Sequence, residues 1–436
     1  MLEKKKLRDI AESISGIRPE NRSLEGIVSF IEEQANIVYE KQPKTFLGRL
    51  RELGYALNGV RPSQRSLRGI VNNIYENFNP EPPTSDKIYG VSGMFSQVTS
   101  LTRTDDAVGM TYTKNLDGTI TSDFDDVFPY NEMKKETING NVFVKIPAMW
   151  FRVGVDSDKN ITDIAVSQSK GEGDNWYQTK EFYYGAYLGT ISENYNPSTQ
   201  QNVYTLDSKS GYTPANNSDI YNFRIKAQNN NGIWGKSGYQ ILDIYHKTIL
   251  NFLFLIEFAN KDSSSLFPMT YDELQECGGT DNIETPSGVL ENGRLKWHYI
   301  EDFFGNLLEF TDGVISNKQI YYFTTNPSNY GEYYSYTEFS IQKTMDGFCI
   351  ASFGWDSNNP FICVPQILID NSNYDTYFAD RSVADDRYDH QVCETGGLSY
   401  GILTDGEYGV FSTEFSQYDS RSTATGTRLL YCPNGV

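Results

Sequence analysis

A proline-rich stretch divides this sequence into two parts with different hydrophobic patterns. Residues 79–85 read NPEPPTS, a composition typical of a semi-rigid extended linker. Before it, apolar residues recur every three or four positions, as in amphipathic helices. After it, short apolar runs are bounded by Gly, Asn and Asp, as strands are. The sequence therefore predicts a helical module at 1–78, a linker at 79–87 and a larger domain at 88–436.

The helical part contains an internal repeat. LRDIAESISGIRPENRSLEGIVSFIEE, from Leu7, aligns without gaps on LRELGYALNGVRPSQRSLRGIVNNIYE, from Leu50. In each copy an apolar stripe runs into a Gly, Arg-Pro then blocks the helix, and Ser23 or Ser66 is placed to cap a second helix. Each copy is predicted to form an αα-hairpin. Because two hairpins bury little by themselves, we expect them to pack together or on a partner, as an attachment module.

The larger part is predicted to consist mainly of strands. KIYGVSGMF, GNVFVKIPAMWFRVGV and NVYTL have strand patterns, and the 31 Tyr, 25 Phe and 36 Gly suit pleated surfaces and tight turns. Residues from Tyr239 to Ala259 are predicted to form one long buried helix. Its apolar run from Ile249 to Ala259 is shorter than the ~20 residues that span a bilayer, so we expect no membrane insertion. The fold class is predicted to be α+β.

Charge is distributed unevenly along the chain. Residues 1–78 carry thirteen Lys and Arg against ten Asp and Glu, a net charge of +3, and the remaining 24 basic and 47 acidic residues give −23. So acidic a domain should repel phosphate backbones, which disfavours nucleic-acid binding. The first residues, from Met1 to Lys6, do not predict a Sec signal peptide. Five Cys without CxxC spacing indicate buried or half-buried thiols made in a reducing cytosol.

The sequence gives little support for the motifs of common enzymes and metal sites. His246, His298 and His390 are far apart in sequence, and we expect His246, inside the predicted helix, to be structural. GKS lacks the first Gly of a phosphate loop, and GVSGM lacks the spacing of a nucleophile elbow. Adjacent acids are more often solvated than catalytic, since neighbours in a strand point apart. Such pairs occur at Asp125-Asp126, Glu301-Asp302 and Asp385-Asp386.

Three segments, taken in order, resemble the formylglycine-generating-enzyme branch of the C-type lectin fold. YIEDFFGNLLEFTDG, from Tyr299, is similar to the D-W-x-GN-x-WEW-x-DG segment of that branch, and its Gly-Asn pair predicts a tight turn. GGLS, from Gly396, is similar to GGSW, and GTRLL, from Gly426, is similar to GFRL. LTRTDDAVGM from Leu101, FDDVFPYNEM from Phe124 and GNVFVKIP also resemble Gram-positive phage tail-fibre proteins that carry this domain.

The resemblance implies where a ligand would bind. In phage and diversity-generating-retroelement proteins of this fold, the stretch between GGSW and GFRL is the variable ligand-binding surface. Residues 88–436 would then be a C-type-lectin-like domain that follows two tandem αα-hairpins, and residues 396–431 would form the surface. Its tyrosines and small polar residues suit that use. The predicted ligand contacts are Tyr400, Asp405, Glu407, Tyr408, Ser412, Glu414, Ser416, Tyr418 and Ser420.

The same resemblance argues against enzymatic chemistry. Formylglycine-generating enzymes use a copper-binding cysteine pair near GGSW, whereas this segment has only Cys393 before it and Cys432 after it. We therefore expect no enzyme activity, no copper and no dedicated metal ligands. No cofactor is expected, and calcium is left open, because loop carboxylates suit it although no DxDxDG loop is present.

The leading interpretation is a phage tail-fibre protein that binds a receptor. It would be assembled in the host cytoplasm, belong to the virion and bind a glycan or protein on the host cell surface. The N-terminal helices would join it to other virion structural proteins, and a homotrimer is expected because it adds avidity. Two alternatives stay open: a non-adhesive head or tail decoration fibre, and a glycan hydrolase acting through paired carboxylates.

Overall fold

The chain forms two compact units, residues 1–87 and 88–436. The computed structural model describes, in the first unit, residues 7, 11, 23–34, 45–47, 49–50, 52–53, 67, 70–71, 74 and 86–87. In the second it describes residues 88–96, 98–270, 273–317, 320–339, 344–345, 349–369, 378, 382–384, 391–396 and 409–435. Within these ranges, every helix is too short or too polar to cross a membrane.

The described part of the N-terminal unit is helical. Helix α1 (Leu24–Gln34) begins after Ser23, whose hydroxyl accepts the Gly26 N–H at 3.0 Å, so the predicted N-cap is confirmed. Apolar residues of both sequence repeats share one buried cluster, in which Leu7 and Ala11 of the first copy lie with Leu50 and Leu53 of the second. The predicted turns lie outside the described residues, so the hairpins stay a prediction.

The second unit is mixed α and β, with far more strand than helix. Its strands are β1 (Tyr89–Ser92), β2 (Thr102–Asp105), β3 (Tyr112–Lys114), β4 (Thr119–Ser122), β5 (Lys134–Ile138), β6 (Asn141–Ile146), β7 (Trp150–Val155), β8 (Ile161–Ser167), β9 (Trp176–Gln178), β10 (Phe182–Gly185), β11 (Gly189–Asn196), β12 (Gln201–Ser208), β13 (Tyr239–Ile241), β14 (Ser287–Val289), β15 (Leu295–Trp297), β16 (Ile300–Glu301), β17 (Leu308–Asn317), β18 (Ile320–Phe323), β19 (Thr337–Glu338), β20 (Thr344–Met345), β21 (Cys349–Gly354), β22 (Val364–Ile369), β23 (Ser382–Ala384), β24 (Gln391–Thr395), β25 (Thr413–Ser416), β26 (Thr425–Gly426) and β27 (Leu429–Tyr431). The predicted strands in KIYGVSGMF, GNVFVKIPAMWFRVGV and NVYTL correspond to β1, β6, β7 and β12, and are confirmed.

These strands form several small sheets. Three have five strands, in the orders β2-β1-β8-β7-β9, β13-β27-β10-β6-β5 and β16-β15-β14-β4-β3. A larger sheet runs β19-β18-β17-β24-β25-β23, and β26 pairs in parallel with β17. Strands β11 and β12 form a hairpin, and β20-β22-β21 form a three-stranded sheet. Strand β27, near the C-terminus, lies between β13 and β10, so the GTRLL segment is built into the core.

The long helix predicted from Tyr239 to Ala259 is shorter than expected, and a second helix, which precedes it, was not predicted from the sequence. Helix α2 (Ile220–Trp234) has little amphipathic pattern, because it contains the run Asn229–Asn231, yet it is capped by Asp219 and by left-handed Gly235. Helix α3 (Ile244–Phe258) begins after Asp243. The prediction that it starts at Tyr239 is wrong, because residues 239–241 pair with β27 instead.

Helix α3 lies at the centre of the main core. Almost all of its side chains are buried, as predicted, including the ionisable His246, Lys247 and Glu257. A short helix, α4 (Ser263–Leu266), follows it. Among the described residues, four 3₁₀ helices occupy loops elsewhere, at Asp123–Asp126, Tyr130–Glu132, Pro327–Asn329 and Tyr333–Ser335. All five cysteines are free thiols, and each is buried or half-buried, as the sequence predicts.

Buried polar contacts join the three motif segments to one another. Arg428, which is fully buried, donates from Nε to Glu309 Oε2 at 3.0 Å. Its Nη2 also donates to the backbone carbonyl of Asp302 at 2.8 Å. The Gly305 N–H donates to the Gly396 carbonyl at 2.8 Å. Gly305 and Asn306 both have positive φ, so the predicted tight turn is confirmed.

Candidate ligand-binding face

The structure describes five of the nine predicted ligand contacts. They are Ser412, Glu414, Ser416, Tyr418 and Ser420, whereas Tyr400, Asp405, Glu407 and Tyr408 lie outside the described residues. Ser412 is only 1% exposed and cannot contact a ligand from solvent, which corrects that prediction. The reason is that its neighbours Val410 and Phe411 pack into the core.

Strand pairing limits the solvent exposure of two more of the predicted contacts, Glu414 and Ser416. Strand β25 lies between β24 and β23, so only the outer faces of Glu414 and Ser416 are half-open to solvent. The Ser416 hydroxyl donates to the buried carboxylate of Glu394. Burial raises the pKa of Glu394 to about 7, so this carboxylate gains protons near neutral pH. Ser416 therefore acts first as a partner of Glu394.

Tyr418 is the most exposed of the five described residues, and it lies next to other tyrosines. Its ring meets that of Tyr333 edge to face, with centroids 5.9 Å apart. Tyr334, next along the same 3₁₀ helix, is fully exposed. Tyr322 on β18 and the two 3₁₀ tyrosines line a groove of about 240 Å³. We call Tyr322, Tyr333, Tyr334 and Tyr418 the tyrosine face.

The loop that carries Tyr333 and Tyr334 lies beside a buried ion pair. Arg224 on α2 donates from Nε and Nη2 to the two carboxylate oxygens of Asp312, at 2.7 and 2.6 Å. Gly331 has a φ of +90°, and a Cβ there would lie 2.8 Å from Arg224 Nη1, so only glycine fits. Tyr330 reaches inward and donates from its hydroxyl to Asp243 at 3.2 Å. Tyr330 and Gly331 thus fix the loop with Tyr333 and Tyr334 against the buried groups of Asp243 and Arg224.

Uncharged phenols dominate the chemistry of this face. Burial is the main reason that the pKa of Tyr333 is raised to about 12, so its hydroxyl stays neutral and can donate a hydrogen bond. Tyrosine rings offer large, rigid contact area and can stack on sugar rings or on apolar groups. Such a face can bind a ligand through ring stacking and through hydrogen bonds from the phenol groups.

Sequence reasoning found Tyr418 but missed the rest of the face. The segment YGEYYSY, residues 330–336, lies outside the stretch between the GGLS and GTRLL motifs. Its run of tyrosines was the available signal. The contact between Tyr333 and Tyr418 joins residues that are far apart in sequence, so only the tertiary structure brings them together.

The acid pairs considered for glycan hydrolysis are occupied by other partners. Arg294 donates from Nη2 to both Glu301 and Asp302, at 3.0 and 2.7 Å, and both carboxylates are buried. Asp125 accepts the Ser122 N–H in a capping box. Asp385 and Asp386 lie outside the described residues. The Glu301-Asp302 pair therefore does not form an open cleft of two free carboxylates.

A buried chain of polar groups connects Cys432, His246 and Asp243. Cys432 Sγ lies 3.5 Å from His246 Nε2, and His246 Nδ1 lies 2.8 Å from Asp243 Oδ1. Asp243 also accepts from the Gln240 amide at 2.5 Å. The order Cys-His-Asp is that of cysteine nucleophiles. Here, however, all three residues are almost fully buried, and the same Asp243 oxygen caps α3, so the arrangement fits the structural role expected for His246.

Stability should depend on pH through His246. Burial by itself would lower its pKa, but Asp243 and then Cys432 outweigh this and raise it to about 10. The folded pKa exceeds the ordinary value of 6.5, so the stabilisation is complete below about pH 6.5 and is lost as pH rises towards 10. We expect the free energy of unfolding to fall by roughly 2–4 kcal/mol across that window. Urea titrations of the wild type and His246→Gln should show this extra fall in the wild type only.

Comparison with known proteins adds no family to this description. No protein-family model matches the chain, and no curated protein matches it.

Proposed function

We propose that this chain is a receptor-binding protein on the surface of a phage virion, in the manner of a tail fibre. The observation that carries the proposal is the tyrosine face, where exposed Tyr334 lines a groove and exposed Tyr418, in the segment that the motif resemblance assigns to ligand binding, contacts Tyr333 of the same groove. Exposed aromatic side chains on a rigid base lose little entropy on binding, which favours affinity.

Contacts among the motif segments support the finer assignment of the domain. We propose that residues 88–436 adopt a C-type-lectin fold of the formylglycine-generating-enzyme type. The GTRLL segment meets YIEDFFGNLLEFTDG through the Arg428–Glu309 pair and through Thr427, whose hydroxyl donates to the Phe310 carbonyl at 2.9 Å. These contacts give the shared residues a structural reason to occur together. Together with the Gly305–Gly396 hydrogen bond, they connect both ends of the variable-type segment, 396–431, to the YIEDFFGNLLEFTDG segment.

The remaining features of the proposal follow from this role. The ligand is a glycan or protein of the host cell surface, and the chain has no enzymatic activity of its own. The helical unit attaches the chain to other virion structural proteins, and assembly as a homotrimer multiplies weak contacts into avidity. Assembly takes place in the host cytoplasm, before the virion acts at the cell surface.

Cell adsorption tests the proposal. The full chain, fluorescently labelled, is mixed with a panel of Gram-positive bacteria, and its oligomeric state is measured by light scattering. We expect saturable adsorption to some strains and not to others, with competition by cell-wall material from a bound strain. Absence of adsorption to every strain, by folded protein, would favour the decoration fibre. Release of soluble sugar from the cell walls would instead favour the hydrolase.

A further inference from the structure

Three side chains from distant parts of the sequence converge at one end of helix α3. Asp125 comes from the 3₁₀ helix Asp123–Asp126, Glu257 from the last turn of α3, and His298 from the turn between β15 and β16. One ligand atom of each residue lies within 4.8 Å of those of the other two. Glu257 and His298 are almost fully buried, whereas the Asp125 side chain is 20% exposed and gives access from solvent.

The backbone at His298 is shaped to bring its ring to this place. Trp297 pairs with Ile300, so His298 and Tyr299 form a two-residue hairpin loop. Both have positive φ, 41° and 67°, in a loop type that normally takes Asn or Gly. The His298 ring then packs on Tyr130 and Trp297, which fixes its orientation.

Each of the three residues has a buried polar atom without a hydrogen-bond partner. These atoms are Asp125 Oδ1, Glu257 Oε1 and His298 Nδ1. The other atoms are used, since Glu257 Oε2 accepts from Trp297 Nε1 at 2.7 Å and lies 2.9 Å from His298 Nε2. Buried polar atoms are almost always satisfied, so three unsatisfied ones in one cluster indicate a missing positive partner.

Protonation of His298 would not give all three of these atoms a hydrogen-bond partner. If Nε2 donates to Glu257, an added proton would sit on Nδ1 and face Asp125 Oδ1 at 3.9 Å, which is too long for a hydrogen bond. Glu257 Oε1 would still lack a partner. A cation placed between the three atoms would reach all of them at once.

The net charge around the three residues also favours a bound cation. Arg103 is a cation that interacts with Glu257, and its guanidinium donates to the backbone carbonyls of Ile256 and Glu257 and lies over the Phe124 ring. Its charge acts on Glu257 as well as on Asp123, so Arg103 supplies at most one of the positive charges that the two carboxylates need. As metal ligands, the two carboxylates and the imidazole would together supply a charge of −2, which a divalent ion balances.

We propose that Asp125, Glu257 and His298 bind one divalent transition-metal ion, of the zinc or manganese class. One imidazole nitrogen and two carboxylate oxygens suit these ions, whereas Ca²⁺ prefers six to eight oxygens. Ser122, whose side chain interacts with the Glu257 carboxylate, offers a fourth oxygen. The ion ties α3 to two loops and is separate from the tyrosine face.

Metal titration of the full chain tests the site. After dialysis against a chelator, Zn²⁺ and Mn²⁺ are added separately, and binding is followed by calorimetry and by the shift in melting temperature. We expect one ion per chain and a rise in melting temperature that the chelator reverses. Co²⁺ should give visible absorption bands of a site with nitrogen and oxygen ligands, a readout that is independent of stability.

Two variants in the same 3₁₀ helix separate this site from surface binding. Asp125→Asn keeps the shape of a ligand residue and should weaken metal binding at least about tenfold. Asp126→Asn changes the exposed neighbour and should leave affinity unchanged. His298→Gln should also remove the Co²⁺ spectrum. Binding that survives in Asp125→Asn and His298→Gln, or no stoichiometric binding by the wild type, would overturn the proposal.

Discussion

Replacing Arg428 with alanine is expected to unfold the domain of residues 88–436 or bring it close to unfolding. Arg428 is fully buried, and its guanidinium serves Glu309 and three backbone carbonyls, those of Gly185, Glu301 and Asp302. Removal leaves Glu309 buried, with Lys247 Nζ 4.0 Å away as its remaining ion-pair partner. Breaking a buried pair on one side costs about 3–5 kcal/mol, a large part of the 5–15 kcal/mol typical of a domain.

Chemical denaturation followed by circular dichroism measures this effect. Arg421→Ala is the matched control, because that arginine is 61% exposed and pairs with Asp219 at 2.9 Å; it should cost less than about 1 kcal/mol. The double variant Arg428→Met with Glu309→Leu removes both charges but leaves the buried Lys247 without its Glu309 partner, so it should recover only part of the loss. An Arg428→Ala protein as stable as the wild type would show that this ion pair does not hold the motif segments together.

Loss of cell adsorption is the second large effect that we expect, from the double variant Tyr334→Ala with Tyr418→Ala. Both rings are exposed, so their removal should change stability little. Aromatic residues at the centre of a binding face contribute about 2 kcal/mol or more each, so adsorption should weaken roughly a hundredfold or more. The measurement is the saturation curve of labelled protein on a strain that the wild type binds.

A matched control uses two other exposed tyrosines. Tyr195 and Tyr204, each 58% exposed, lie on the β11–β12 hairpin in a different sheet. Their replacement by alanine removes the same chemistry and should leave adsorption unchanged. Equal loss in both double variants would indicate a general effect of surface tyrosines, and unchanged adsorption in the first would remove the tyrosine face from the proposal.

Local chemistry made several parts of the fold predictable. Period-two patterns identified β6 and β7, and the Gly305-Asn306 pair identified a turn, since both depend on neighbours in sequence. Helix α2 was missed because its caps, Asp219 and Gly235, enclose a polar sequence without a clear stripe. The start of α3 was misplaced because an apolar strand and an apolar helix look alike when they adjoin.

The candidate site was less predictable, for a physical reason. Tyr418 was found from composition, but exposure depends on how the segment packs in the whole domain: Ser412 is buried because its neighbours Val410 and Phe411 pack into the core. Tyr333 and Tyr334 were missed because they reach Tyr418 only across the fold.

The sequence by itself determined the helical and β-rich parts, their linker composition, the main strands, the free thiols and the acidic charge, because each follows from local pattern or composition. Only the tertiary structure decided which distant groups meet. Arg428 donates a hydrogen bond to Glu309, Asp125 lies close to Glu257 and His298, and the ring of Tyr333 contacts that of Tyr418. Burial of polar groups requires partners wherever they lie in the chain, and that choice is made by the packing of the whole domain.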